Sequence, residues 1–245
     1  MTAPLWRRAL AEGLGTGLLV TVVVGSGIAA ASLSRNDLGL QLLENAFATA
    51  LGLAVLILML GPVSGAHFNP VVSAADWWLG LRTGNGLPLQ ELLAYIPAQI
   101  AGGVVGAILA NLMYGGAAVS WSTTHRGAGH LYLGEVVATA GLILLIFALA
   151  ATNRASLAPV AVGAYIGSAY WFTSSTSFAN PAVTIGRAFS NTFAGIAPSS
   201  VPGFVAFQIL GAVVGLGLLA LLYPHAGRAA GDAVTSHTET VGAAS

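Results

Sequence analysis

Six runs of apolar residues dominate the chain, at 9–33, 46–61, 92–114, 131–151, 155–172 and 203–223. A bilayer core takes about 20 apolar residues as helix, so each run predicts a transmembrane helix. Backbone facing lipid must satisfy its own hydrogen bonds. The glycines and prolines inside these runs therefore predict packed helical neighbours rather than sheet. The pairs Gly102/Gly106 and Gly211/Gly215 have the small-xxx-small spacing that lets helix backbones approach closely, within one chain or between chains.

Two stretches break this pattern. "GAHFNPVVSAADWW" at 65–78 and "SFANPAVTIGRAF" at 177–189 each carry an Asn-Pro pair followed by a helix-like run too short to span. Such a segment beside full spans predicts a re-entrant half-helix, allowed at membrane depth only where protein or a water-filled cavity surrounds it. Asn at the N-cap and Pro at the first helical position fit helix-start chemistry. The other connections are short except for residues 115–130.

The two stretches belong to an internal repeat. "AEGLGT" at 11–16 aligns with "GEVVAT" at 134–139, pairing Glu12 with Glu135. "QIAGGVVGAILANLMY" from Gln99 aligns with "QILGAVVGLGLLALLY" from Gln208, keeping the glycine pairs, Tyr114 and Tyr223 in register. Three spans per copy is an odd number, so the second copy enters the membrane upside down. The half-helices then dip in from opposite sides and their N-termini face each other. Each terminus carries roughly half an elementary positive charge, and Asn69 and Asn180 add amide donors. Water or a hydroxyl accepts those bonds, while a cation or hydronium meets a positive barrier.

Composition narrows the class. The chain of 245 residues is 56% hydrophobic and 7% charged, against roughly 45–50% and about 25% in an average soluble domain. Formal charge cancels to zero and no residue is Lys, which leaves nucleic-acid binding without a basic face. The absence of Cys removes disulfides, thiol nucleophiles and thiolate metal sites. The opening "MTAPLWRRALAEGLGTG" has a charged front like a signal peptide. Its apolar run continues to Leu33 without a clear cleavage site, so it reads as a retained first span. With Arg7 and Arg8 inside, Arg82, Arg154 and Arg228 fall on the same side and Arg35, Arg126 and Arg187 outside. That predicts a multi-pass protein of the cell (inner) membrane with both termini cytoplasmic. Residues 1–225 read as one channel domain, with repeats of about 1–114 and 130–225, and residues 226–245 as a small, polar, mobile tail.

The paired motifs (Asn69, Pro70, Val71 and Asn180, Pro181, Ala182), the paired glutamates and the Gln-glycine pattern resemble the aquaporin and aquaglyceroporin family, from about Ala11 to Tyr223. The resemblance implies an all-α membrane fold of six spans and two half-helices in inverted repeats. It also implies facilitated diffusion of water and small neutral solutes across the bilayer, with no cofactor or metal and four independent pores in a homotetramer. Val71 departs slightly, standing in an alanine place.

A larger departure lies in the second motif. Family water channels usually carry arginine three residues after the second Asn, and Val183 stands there. Counting from Asn69 and Asn180, the other filter positions fall on Thr49, Ser168 and Ser177, with a register uncertainty of one residue at Ser168. This set lacks the bulky aromatic, the histidine and the arginine of a strict water filter, and predicts a wide, neutral, hydroxyl-bearing mouth. Widening predicts polyols such as glycerol and undissociated metalloid hydroxides such as arsenous acid as solutes. Bacterial members with this valine look like those associated with arsenous or antimonous acid, whereas glycerol channels generally keep the arginine, which puts the metalloid hydroxides ahead.

Several residues admit two readings. Arg187, about 6 Å beyond Val183 on the same helix face, either lines the outer vestibule or snorkels to water; in the first case it could gate a strict water channel. His67 is a lining or gating side chain rather than a metal ligand, since no second ligand stands at metal spacing. Glu12 and Glu135 are either proton-coupling carboxylates or, as the resemblance implies, braces for the half-helix loops. Gln99 and Gln208 bridge helices. Trp77, Trp78, Trp171 and Phe172 form an interfacial belt rather than a binding cage. A secondary transporter shares the inverted repeats, but the spans are nearly free of other ionisable groups. No "HExxH" or convincing Ser-His arrangement supports an intramembrane enzyme. A structural junction protein would show no permeability.

Overall fold

The computed structural model describes residues 3–224; Arg228 and the expected tail lie outside the described residues. Within them the secondary structure is helical: α1 (Leu5–Leu33), α2 (Leu38–Ser64), α3 (Pro70–Thr83), α4 (Leu89–Met113), α5 (Gly129–Ala151), α6 (Ala158–Phe172), α7 (Pro181–Arg187) and α8 (Val201–Leu222). Five of these are long and apolar enough to cross a membrane. The remaining span, α6, has 15 residues and is lengthened by the 3-10 turn Ala155–Leu157.

α2 begins at Leu38 rather than at residue 46, although its first turns carry Gln41, Glu44 and Asn45. Asp37 caps the helix by accepting from the Leu40 amide at 2.9 Å. The polar side chains find partners on α1 and its C-cap. Gln41 Nε2 donates to Ser34 O at 2.8 Å, Ser34 Oγ donates to Glu44 Oε1 at 2.8 Å, and Asn45 Nδ2 donates to Val23 O at 2.9 Å. Hydropathy alone misses these turns because their polarity is satisfied internally.

α1 packs on α2 and α4, and α5 packs on α6 and α8, so each half repeats one arrangement. α2 meets α6 across the middle. The glycine pairs permit the α1–α4 and α5–α8 contacts. A Cβ on Gly102 would stand 2.0 Å from Gly13 O, and one on Gly106 2.1 Å from Gly17 O. The second pair meets Val136 O and Ala140 O at 2.7 and 2.6 Å. Both pairs therefore serve contacts within the chain. The opposite helix faces expose apolar rows such as Leu43, Phe47, Leu51 and Val55 on α2, the pattern expected of a surface solvated by lipid.

Candidate functional site

The two half-helices start at the centre of the molecule, each after a loop of strained backbone. Ala66 and Phe68 have φ of 51° and 50°, and Ser177 and Ala179 have 50° and 48°. Left-handed backbone costs about 1–2 kcal/mol per non-glycine residue, so something must hold it. Two fully buried carboxylates do. Glu12 accepts from the amides of His67 and Phe68 at 3.0 and 2.7 Å, from Ser64 Oγ at 2.6 Å and from Gln99 Nε2 at 2.8 Å. Glu135 accepts from the amides of Phe178 and Ala179, both at 2.9 Å, and from Gln208 Nε2 at 2.6 Å. Each glutamine also donates to a hydroxyl four residues after the motif asparagine, Ser73 at 3.0 Å and Thr184 at 2.8 Å. Glu12, Glu135, Gln99 and Gln208 are thus engaged with the loops and turned away from the cavity.

Asn69 and Asn180 cap α3 and α7. Asn69 Oδ1 accepts from the Val71 amide at 3.1 Å, and Asn180 Oδ1 from the amides of Ala182 and Val183 at 3.0 and 3.2 Å. Pro70 and Pro181 occupy the first helical positions. Each Nδ2 spends one donor on the other loop: Asn69 donates to Ala179 O and Asn180 to Phe68 O, both at 2.8 Å. An amide nitrogen has two N–H groups, so one remains on each for a molecule in the cavity that both asparagines line.

That cavity follows stripes of residues spaced four apart. α2 contributes Thr49, Leu53 and Ile57, and α6 contributes Val162, Ile166 and Tyr170. The spacing is one helix face. The stripes run in opposite senses, so Thr49 stands level with Tyr170, and their hydroxyls lie 3.2 Å apart. Ser177 and Val183 line the same region. Ser168 does not. It is exposed on the other face of α6, with Oγ donating to Tyr165 O at 2.7 Å. From α6 it is therefore Tyr170 and not Ser168 that lines the cavity, and the expectation of a mouth without a bulky aromatic is corrected. Counting back from Asn180 crosses a loop of unconstrained length. The four-residue spacing of Val162, Ile166 and Tyr170 along α6 carries the missing signal.

Of the two readings of Arg187, the geometry fits lining and not snorkelling to water. The residue is 2% exposed and lines the cavity. Its Nε donates to Ala194 O, and its Cζ lies 3.4 Å from the centroid of the Phe178 ring. Residues 115–128 dock over this mouth. The Ser120 and Ser122 amides donate to Phe189 O and Ala188 O at 3.1 and 3.0 Å. Arg126 Nε donates to Gly195 O at 3.0 Å, with its Cζ 5.2 Å from the same Phe178 ring. Burial lowers the Arg126 guanidinium from its ordinary value, opposed by Glu135 and Tyr170; guanidinium nevertheless stays charged in proteins.

At the opposite end His67 lines the cavity with its ring held from behind. Nδ1 is 3.0 Å from Ser73 Oγ, Nε2 is 3.5 Å from Asp76 Oδ2, and the ring meets Tyr95 edge-on at 5.8 Å. Asp76 and Tyr95 were not legible as site residues, because a single acid on a half-helix reads as surface. Trp78, Trp171 and Phe172 are about half exposed on the outer surface, away from this cavity. Among the described residues no three His, Cys, Asp or Glu cluster to hold a metal.

Comparison with known proteins agrees with this geometry. The family model described as Major intrinsic protein matches residues 1–177. The chain is 47% identical over 215 residues to the aquaglyceroporin AqpS of Rhizobium meliloti (strain 1021), covering 88% of this chain and 89% of that one. It is 32% identical over 256 residues to the glycerol uptake facilitator protein of Pseudomonas aeruginosa, covering 88% of each. The X-ray structure of the aquaglyceroporin from Plasmodium falciparum shares the fold, with a TM-score of 0.62 at 20% identity over 89% of this chain and 97% of that chain. The chain belongs to the major intrinsic protein family, whose members are membrane channels and not enzymes.

Proposed function

We propose that the protein is a passive channel for water and small uncharged solutes, namely polyols such as glycerol and undissociated metalloid hydroxides such as arsenous acid. One observation carries this reading. A single cavity runs from Ile57 and Val162, past both motif asparagines, to Thr49, Tyr170 and Arg187. Selectivity in such a pore follows diameter, lining bonds and electrostatic barriers. Val183 in the arginine place of family water channels supports solutes wider than water, and the names of the relatives from Rhizobium meliloti and Pseudomonas aeruginosa support glycerol among them. Ions and protons are stopped where the positive ends of α3 and α7 meet at Asn69 and Asn180.

In this reading Thr49, Tyr170, Ser177 and Val183 form the filter, His67 and Arg187 line the two vestibules, and the buried glutamates and glutamines brace the loops. Residues 1–225 act as one channel domain in the cell (inner) membrane, with both termini cytoplasmic, the Arg187 mouth outside and four copies assembled. The burial of Arg187 in the cavity wall favours one second reading, a strict water channel closed at that residue.

Purified protein in liposomes tests the proposal. An inward gradient of glycerol or arsenous acid should dissipate to equal concentrations, with no accumulation when a proton or sodium gradient is imposed. Accumulation would mean a secondary transporter. Water flux without solute flux would mean the strict water channel.

A further inference from the structure

The cation missing at Val183 is present in the cavity by another route. In a helix the Cα–Cβ bond tilts toward the N-terminus, so a long side chain covers the turn before its own Cα. Arg187 is one turn beyond Val183 on α7, and its stem therefore leads back toward the level of Val183. The guanidinium is fixed on one edge by Nε donating to Ala194 O and across its plane by the Phe178 ring, a cation–π contact. Its two Nη groups make no hydrogen bond among the described residues, no carboxylate there pairs with it, and it lines the same cavity as Thr49, Tyr170 and Ser177.

A buried guanidinium is expensive unless its donors are satisfied. With Nε anchored and both Nη groups without a partner among the described residues, the remaining donors form a fork that suits two adjacent oxygen acceptors. We propose that Arg187 is the specificity-determining residue of this pore, supplying from one turn further along α7 the filter cation that Val183 does not. It favours neutral solutes with adjacent hydroxyls over neutral solutes with one carbonyl acceptor, and it repels cations. Arg126 is a positioning residue: its Nε takes the next carbonyl along, Gly195 O, and its guanidinium approaches the same ring, which fixes the segment that anchors Arg187. The inference rests on the channel reading above.

The test uses the full-length protein in liposomes, as wild type, Arg187→Ala, Arg187→Lys and Arg126→Gln. Water, glycerol and urea permeabilities are read by light scattering, and sodium and proton leak by entrapped dyes. Arg187→Ala should keep water flux, lower the glycerol-to-urea ratio severalfold and raise the cation leak. Arg187→Lys keeps a point charge without the fork, so the ratio should fall while the leak stays low. Arg126→Gln should shift the ratio in the same direction by less. Wild-type ratios and leak in both Arg187 variants would overturn the inference and leave Arg187 a packing residue. If Arg187→Ala does not yield dispersed, folded protein, Arg187→Lys decides alone. If wild type carries neither glycerol nor urea, the wide-filter reading fails, and the leak measurement still decides whether Arg187 repels cations.

Discussion

Asn69 Nδ2 donates to the carbonyl of Ala179, the residue before Asn180, and Asn180 Nδ2 returns the bond to Phe68, the residue before Asn69, both at 2.8 Å. The asparagines are at once caps, cavity-lining amides and the tie between the two loops. Asn180→Asp removes the donor and sets a carboxylate against Phe68 O. Leaving such a buried group unpaired costs about 1–3 kcal/mol, and the new charge offsets the positive ends of α3 and α7. Asn180→Asp should therefore lower thermal stability and admit protons or cations, read by a pH dye in liposomes. A variant as tight to protons as wild type would remove the barrier from this pair.

The hydroxyl contact between Thr49 and Tyr170 separates two registers of the filter. Tyr170→Phe loses a hydrogen bond of about 0.5–1.5 kcal/mol and one polar group of the mouth, and should change the ratio of glycerol to water permeability. Ser168→Ala alters an exposed residue bonded to its own helix and should leave that ratio unchanged. Osmotic light scattering of the two variants distinguishes them. The reverse outcome would restore Ser168 to the filter.

Glu135 accepts three bonds with two oxygens, and Glu135→Gln replaces one acceptor by an NH2 group facing donors. Bonds to a charged group contribute about 1.5–3 kcal/mol each, so the loop holding Ser177 and Ala179 in left-handed backbone should lose its support. Lower thermal stability and loss of water flux are expected together. A well-folded Glu135→Gln variant that conducts normally but loses a proton dependence seen in wild type would instead make Glu135 a coupling carboxylate.

Helix contact makes a sharper test of the glycines. A methyl at Gly102 or Gly106 meets a main-chain oxygen on α1 at 2.0 or 2.1 Å, whereas nothing lies within 4 Å of one at Gly217. Gly106→Ala should cost about 1–3 kcal/mol through overpacking and Gly217→Ala should be neutral or mildly stabilising, compared by thermal unfolding in one detergent.

The fold was legible because each of its signals is local or repeated. Apolar runs mark the spans, Asn-Pro marks the half-helix starts, and the match of Glu12 with Glu135 exposes the inversion. Residues joined only through space were less legible. The polar first turns of α2 hide a helix because Ser34 and Val23 satisfy them from α1. Tyr170 was displaced by Ser168 because loop length, unlike helical spacing, is not conserved by any geometric rule. Arg187 had two readings because nothing in its neighbourhood along the chain names Ala194 and Phe178 as its anchors, and Arg126 enters the mouth from a loop whose course the sequence does not state.

The central claim is a pore for solutes wider than water, opened by valine at position 183. The most direct measurement is light scattering of liposomes carrying wild type or Val183→Arg, first under an impermeant osmolyte and then in glycerol, urea and arsenous acid gradients. The account predicts that wild type passes water and the larger solutes, while Val183→Arg keeps water and loses the solutes. A wild type that passes water alone would contradict it, and so would a Val183→Arg variant that conducts the larger solutes as well as wild type does.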